Sequence, residues 1–218
     1  MKLKDIKNLL PLMAAALLGL ASCSENDGEQ TDEYANWQAR NEQAFSDTLA
    51  YARQQASDGN TQWRVYPCWS MEDRTAYDGK TPTFNDKDDN ICVRVMEQGY
   101  GPAVTPLYTD SVEVSYKGML LPTASYASGY VFDSNFTGTY DAKRALTTQF
   151  AVSGLIDGFT TALMKMRNIG DHWMVYIPAN LGYGSSTSNS SIPAYSMLRF
   201  EVVLTGYKKD SKWIRDVK

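Results

Sequence analysis

Residues 155–204 carry the groups whose types and spacing point to chemistry. In order they read Leu155-Ile156-Asp157-Gly158-Phe159, an apolar run, Tyr176-Ile177-Pro178, Leu181-Gly182-Tyr183-Gly184, a polar loop, Ile192-Pro193, and the alternating stretch Leu198-Arg199-Phe200-Glu201-Val202. Together they supply ring walls, phenol hydroxyls and backbone N–H groups for one apolar hollow. Flat rings give a pyrrolidine ring a rigid surface, so the set suits a proline-containing peptide. It carries no obvious equipment for breaking bonds. His172 is the only histidine, and Cys23, Cys68 and Cys92 are not at zinc-ligand spacing. Metal catalysis and a cofactor are therefore not expected.

The elements that must position these residues show in the hydrophobic period. Ile91, Val93 and Val95 alternate with Cys92 and Arg94, Val112, Val114 and Tyr116 with Ser111, Glu113 and Ser115, and Leu198, Phe200, Val202 and Leu204 with Arg199, Glu201 and Val203. Period two marks strands with one face on a core. Phe159 to Met166 supplies one short helix, with Leu163 and Met166 inward. The fold expected is α+β: a twisted antiparallel β-sheet wrapped around one short α-helix, with an N-terminal α-helical extension. In that extension, residues 33–58, Tyr34, Trp37, Asn41, Phe45, Thr48, Leu49 and Ala52 recur at three- and four-residue steps. Thr31 or Asp32 is the expected cap, and Asp58-Gly59-Asn60 the stop. The stripe is read first as a face packed on its own protein, with a homodimer or partner contact as the alternative. Residues 59–90 form a connector able to add a strand, 91–207 the main domain, and 208–218 a charged tail in which Trp213 and Ile214 can dock.

The N-terminal segment has a different character. Lys2, Lys4 and Lys7 precede an apolar run over residues 9–20, then Ala21, Ser22 and Cys23. Such a run is too short to span a bilayer and reads as a secretory signal, residues 1–22. Leu20-Ala21-Ser22-Cys23 resembles a bacterial lipobox, which implies lipidation of Cys23, a tether over residues 23–32 and a lipid-anchored place at the outer membrane, periplasmic or surface-exposed. Loss of the signal removes three lysines and one aspartate, so the net charge of −4 becomes about −6. An acidic chain with no basic cluster argues against nucleic acid. Export into an oxidising space allows a Cys68–Cys92 disulfide, with two buried free thiols as the alternative.

At these residues the chain resembles the FKBP-type peptidyl-prolyl cis-trans isomerases, in the manner of a bacterial lipoprotein member (Bacteroidetes-like). The blocks come in the family's order over about residues 91–207: Val114-Ser115-Tyr116-Lys117-Gly118, Val131-Phe132-Asp133-Ser134, Leu155-Ile156-Asp157-Gly158-Phe159, Gly170-Asp171, Tyr176-Ile177-Pro178, Leu181-Gly182-Tyr183-Gly184, Ile192-Pro193 and Leu198-Arg199-Phe200. The resemblance implies that Tyr116, Phe132, Ile156, Phe159, Tyr183, Ile192 and Phe200 line a proline pocket. It places Asp133 at the rim and Leu155 beside Ile156. It has the Ile156 N–H and the Tyr183 hydroxyl meet substrate carbonyls, with no cofactor. The implied activity is prolyl isomerisation that assists folding of exported proteins; the alternative is a non-catalytic peptide-binding or chaperone module on the same fold.

Four departures stand out. Phe159 occupies the pocket floor where the family often has Trp, so lowered activity is expected. Residues 122–130 form an insertion, a candidate flap or partner loop. An aromatic wall is missing near Thr147-Thr148-Gln149-Phe150, with Phe150 expected in the core. The loop over residues 184–191 is unusually polar.

Overall fold

The computed structural model describes residues 32–72, 85–103, 105–187 and 191–215. The signal over residues 1–22, Cys23 and nearly all of the tether lie outside the described residues, as do parts of the connector, the polar loop and the tail. Eight strands form one antiparallel sheet: β1 (Trp63–Pro67), β2 (Asn90–Glu97), β3 (Ser111–Met119), β4 (Val131–Ser134), β5 (Thr148–Ala151), β6 (His172–Ile177), β7 (Leu198–Lys209) and β8 (Lys212–Arg215). The order is β1-β2-β6-β7-β3-β4, with β5 also on β3 and β8 also on β7. The helices are α1 (Trp37–Ser57), α2 (Trp69–Glu72) and α3 (Asp157–Lys165).

Alternation assigns the two faces. Ile91, Val93 and Val95 of β2 and Trp173, Val175 and Ile177 of β6 share one buried cluster with Phe159, Ala162 and Leu163 of α3. Cys92 of β2 belongs to a second cluster, on the other face, with Phe45, Leu49 and Ala52 of α1; Trp63, Val65 and Tyr176 pack against it. The sheet is thus covered by a short helix on one face and a long one on the other. Gly158 permits the close approach of α3, since a Cβ there would lie 2.3 Å from Ile177 Cγ2.

Several details differ from the sequence reading. The helix begins at Trp37, because residues 33–36 form a tight turn closed by the Trp37 N–H on the Tyr34 carbonyl (3.0 Å). Asn36 precedes it in the left-handed region, with no side-chain cap bond. Asp32 therefore does not cap, and Thr31 is outside the described residues. The stop is as expected, with Gly59 at φ 81° and its N–H on the Ala56 carbonyl. The apolar stripe of α1 packs on its own sheet, as the first reading has it. The connector does add a strand, β1, paired with β2. Residues 208–215 are the end of a hairpin: β8 pairs with β7, and Glu113 on β3 accepts a 2.7 Å hydrogen bond from Arg215. Charged residues sit outward there while Ile214 packs against the core, so composition alone hid the strand. His172 lies 2.9 Å from Glu201, and its ring packs near Tyr140.

The Cys68–Cys92 disulfide is absent. Both thiols are free and buried, and they belong to different clusters, one with the α3 face and one with α1. Burial pushes the Cys92 thiol up to about 12.

Candidate functional site

Four rings form a stack across β3, β4, β7 and α3. Phe159 lies parallel to Phe200 at 4.7 Å, Phe200 meets Phe132 edge-on at 5.6 Å, and Phe159 is tilted against Tyr116 at 6.4 Å. Offset and edge-on rings at these separations are the favourable arrangements. Gly118 makes the cluster possible. It pairs with Phe200 on one side and Asp133 on the other, and a Cβ there would stand 2.5 Å from the Phe132 ring and 2.9 Å from Phe200.

Tyr116 points inward from β3 and donates its hydroxyl to Asp133 Oδ2 at 2.7 Å. Burial pushes its pKa up, the Asp133 hydrogen bond and charge add to that, and so does the charge of Tyr183. Tyr183 itself is 37% exposed, on the turn after the short 3-10 segment Ala179–Leu181, and Gly184 follows at φ 62°.

Ile156 caps α3 in an extended conformation, with φ −61° and ψ 146°. Its carbonyl accepts the N–H groups of Phe159 and Thr160, each at 3.0 Å. Its own N–H precedes the helix and has no protein acceptor among the described residues. Leu155 sits beside it, and Thr160 Oγ1 fastens this corner by donating to the Val152 carbonyl at 2.9 Å. Phe159, Phe200, Ile192 and Tyr116 are buried and make a floor; Phe132, Leu155 and Ile156 are half-buried, and Asp133 and Tyr183 exposed, at the rim. Recesses of about 460 and 240 Å³ lie elsewhere, one beside α1 and one near Tyr140 and His172.

Of the residues expected from the sequence, Tyr116, Asp133, Phe132, Phe159 and Phe200 make direct contacts, and Ile192 shares their buried cluster with Leu155 and Ile156 packed against it. Phe150 packs against the core as expected, and its ring also meets Tyr116 edge-on at 5.5 Å, backing the phenol. Asn135 is a contributor that the sequence reading missed. Asn135 accepts the Tyr116 N–H at 2.8 Å and donates to the Val114 carbonyl and Thr148 Oγ1, each at 3.0 Å. It bridges the gap where β3 changes partner from β4 to β5. Its place directly after Phe132-Asp133-Ser134 was a weak signal at best. The insertion over residues 122–130 is pinned: Glu33 accepts from Thr123 Oγ1 (2.7 Å) and the Ser125 N–H (2.9 Å), and Arg199 donates to the Ser128 carbonyl (2.5 Å). Among the described residues no cluster of acidic, histidine or cysteine side chains could hold a metal ion.

Comparison with known proteins agrees with this geometry. The family model described as FKBP-type peptidyl-prolyl cis-trans isomerase matches residues 103–205. The chain is 36% identical over 125 residues to the FKBP-type 22 kDa peptidyl-prolyl cis-trans isomerase of Escherichia coli, covering 57% of this chain and 53% of that protein. It is 37% identical over 107 residues to the macrophage infectivity potentiator of Trypanosoma cruzi, covering 49% and 48%. Against FK506-binding protein 1A of Neurospora crassa it is 32% identical over 120 residues, covering 55% of this chain and 90% of that one. The chain spans about half the length of the first two relatives and nearly all of the third. The chain belongs to the FKBP-type peptidyl-prolyl cis-trans isomerase family.

Proposed function

We propose that this protein is a prolyl isomerase acting on proline-containing polypeptides by non-covalent stabilisation of the twisted X-Pro amide. The observation that carries the reading is the ring stack of Phe159, Phe200, Phe132 and Tyr116, floored by buried side chains and edged by a free N–H and an exposed phenol. Rotation about the peptide bond faces a barrier of roughly 18–20 kcal/mol because amide resonance must be broken. Uncatalysed X-Pro exchange takes tens to hundreds of seconds. The twisted amide has less charge separation than the planar one, so an apolar, water-poor surface favours it relatively. That is differential binding of the transition state and needs no nucleophile or base. Asp133, held by the Tyr116 hydroxyl, keeps the phenol ring fixed as a wall. The Ile156 N–H and Tyr183 hydroxyl grip carbonyls on either side of the proline, which contributes orientation. Phe159 retains a flat ring at the floor with less area than an indole.

The same proposal extends to place. Cys23 bears the lipid, the domain stands at the outer membrane, and exported proteins are the clients, whose folding is limited by slow proline isomerisation. Cys23→Ser is expected to move the protein from the membrane to the soluble fraction without changing its isomerase rate. The central test is cis-to-trans exchange of short Ala-Leu-Pro and Ala-Phe-Pro peptides. A rate above background that depends on Phe132 and Tyr183 supports catalysis; no rate at high protein concentration, with protection of an aggregating client, identifies a binding module instead.

A further inference from the structure

We infer that α1 is a brace for the peptide-binding rim, with Trp37 and Asn41 at its head as positioning residues that hold the segment 192–197. This rests on the isomerase reading above and extends it to residues outside the matched domain. The Trp37 indole N–H donates to Ser196 Oγ at 2.9 Å, and Ser196 Oγ donates to the Pro193 carbonyl at 2.6 Å. Asn41 Oδ1 accepts the Met197 N–H at 2.8 Å, while Asn41 Nδ2 donates back to the Trp37 carbonyl at 2.7 Å. Trp37, Asn41 and Ser196 are all buried, at 6%, 2% and 4% exposure. A buried network with every member satisfied rigidifies what it touches.

What it touches is the rim. Pro193 is the residue after Ile192, and Tyr195, between the two anchor points, donates its N–H to the Gly184 carbonyl at 2.8 Å. Gly184 is the residue after Tyr183. The anchors therefore fix Ile192 of the floor and Tyr183 of the rim at one remove. Tyr195 also sits at φ 60°, a left-handed conformation that a bulky side chain adopts only when its surroundings over-determine it. Docking of α1 does not need this network. Phe45, Leu49 and Ala52 already fasten the helix to the sheet. Trp37, at the helix head, belongs instead to the cluster that contains Tyr116, Phe159 and Ile192.

The test uses the whole protein. Trp37→Phe keeps the buried ring and removes the donor; Ser196→Ala removes the relay at the loop side; Phe45→Ala is a control that weakens α1 packing and removes none of the network's hydrogen-bonding groups. In Trp37→Phe and in Ser196→Ala, amide exchange at Tyr195 and Met197 is expected to accelerate at least tenfold. KM for an X-Pro peptide is expected to rise several-fold with kcat less affected, and the double variant to be little worse than either single one. Phe45→Ala is expected to lower the melting temperature and leave KM unchanged at a temperature where it is fully folded. Unchanged exchange at Tyr195 in both variants overturns the brace, and so does faster exchange with an unchanged KM. A wild-type protein that does not catalyse exchange overturns the isomerase reading instead. The brace is then read from the amide exchange and from the dissociation constant of the same peptide in an NMR titration, with an unchanged constant overturning it.

Discussion

The two faces of the sheet are covered by helices of opposite design. α3 has nine residues, too few to be stable in isolation, and every position from Gly158 to Leu163 is buried. α1 has 21 residues and buries five, Trp37, Asn41, Phe45, Leu49 and Ala52, in one stripe. The short helix is held wholly by what packs on it, so its first residues have a fixed position, and Ile156 and Phe159 are found there. The long helix has a solvated side and a periodic stripe; its buried polar anchors, Trp37 and Asn41, lie at its head, and Arg53 near its end pairs with Asp86 at the surface. Chemistry is concentrated where packing leaves the backbone no freedom; support is supplied from the face that retains some.

The sharpest way to break this contrast is to delete one ring from each face. Phe159→Ala and Phe45→Ala each remove a buried phenyl group, and each is expected to cost about 3–5 kcal/mol in denaturant unfolding. Only Phe159→Ala should abolish isomerase acceleration in the fraction still folded. Equal loss of rate from both would erase the distinction between the faces.

Gly118→Ala probes the pocket side alone. Its Cβ would collide with the Phe132 and Phe200 rings, and the overpacking is expected to cost about 1–3 kcal/mol. Catalysis should fall more than stability, because the rings that must move are the walls; an unchanged rate would show that ring placement there is immaterial.

Tyr116→Phe is milder, about 1 kcal/mol for one buried hydrogen bond. It also has a pH signature. The folded-state pKa of Tyr116 lies above its ordinary value of 10.0, so the native state holds this proton more tightly than the unfolded chain. The associated stability is complete below pH 10 and is lost as pH rises beyond it. The melting temperature of the wild type should therefore fall above that pH, and the fall should be shallower in Tyr116→Phe. A parallel fall in both would contradict the coupling of Tyr116 to burial and Asp133.

The smallest effect is on the α1 face. With its thiol pushed up to about 12, Cys92 should resist alkylation at pH 8 in the native protein and react on unfolding. Intact mass after native treatment checks it, and rapid labelling or a mass lower by two hydrogens would contradict two buried free thiols.

How much of this was legible in the sequence follows the same division. Strands and the α1 stripe were visible because period two and period 3.6 report burial directly, as at Val112-Val114-Tyr116 and at Trp37, Asn41, Phe45 and Leu49. The ring set was visible because its blocks keep a family order. What stayed hidden depends on contacts distant in sequence. Asn135 works by filling a gap between two strands, and nothing in its own neighbourhood announces that gap. Glu33 is drawn out of a helix start by Thr123 and Ser125, some ninety residues away. The β7–β8 hairpin carries charges outward on a strand edge, where composition reads as a tail.

The central claim is that a ring-walled floor with a polar rim makes the X-Pro bond easier to twist. The most direct measurement is the cis-to-trans exchange rate of an Ala-Phe-Pro peptide with wild type and with the double variant Phe132→Ala, Tyr183→Phe. Both residues are at least partly exposed, so the variant should stay folded. A wild-type rate well above background that collapses in the variant is the result expected; a folded variant as fast as the wild type, or no acceleration by either, would contradict it.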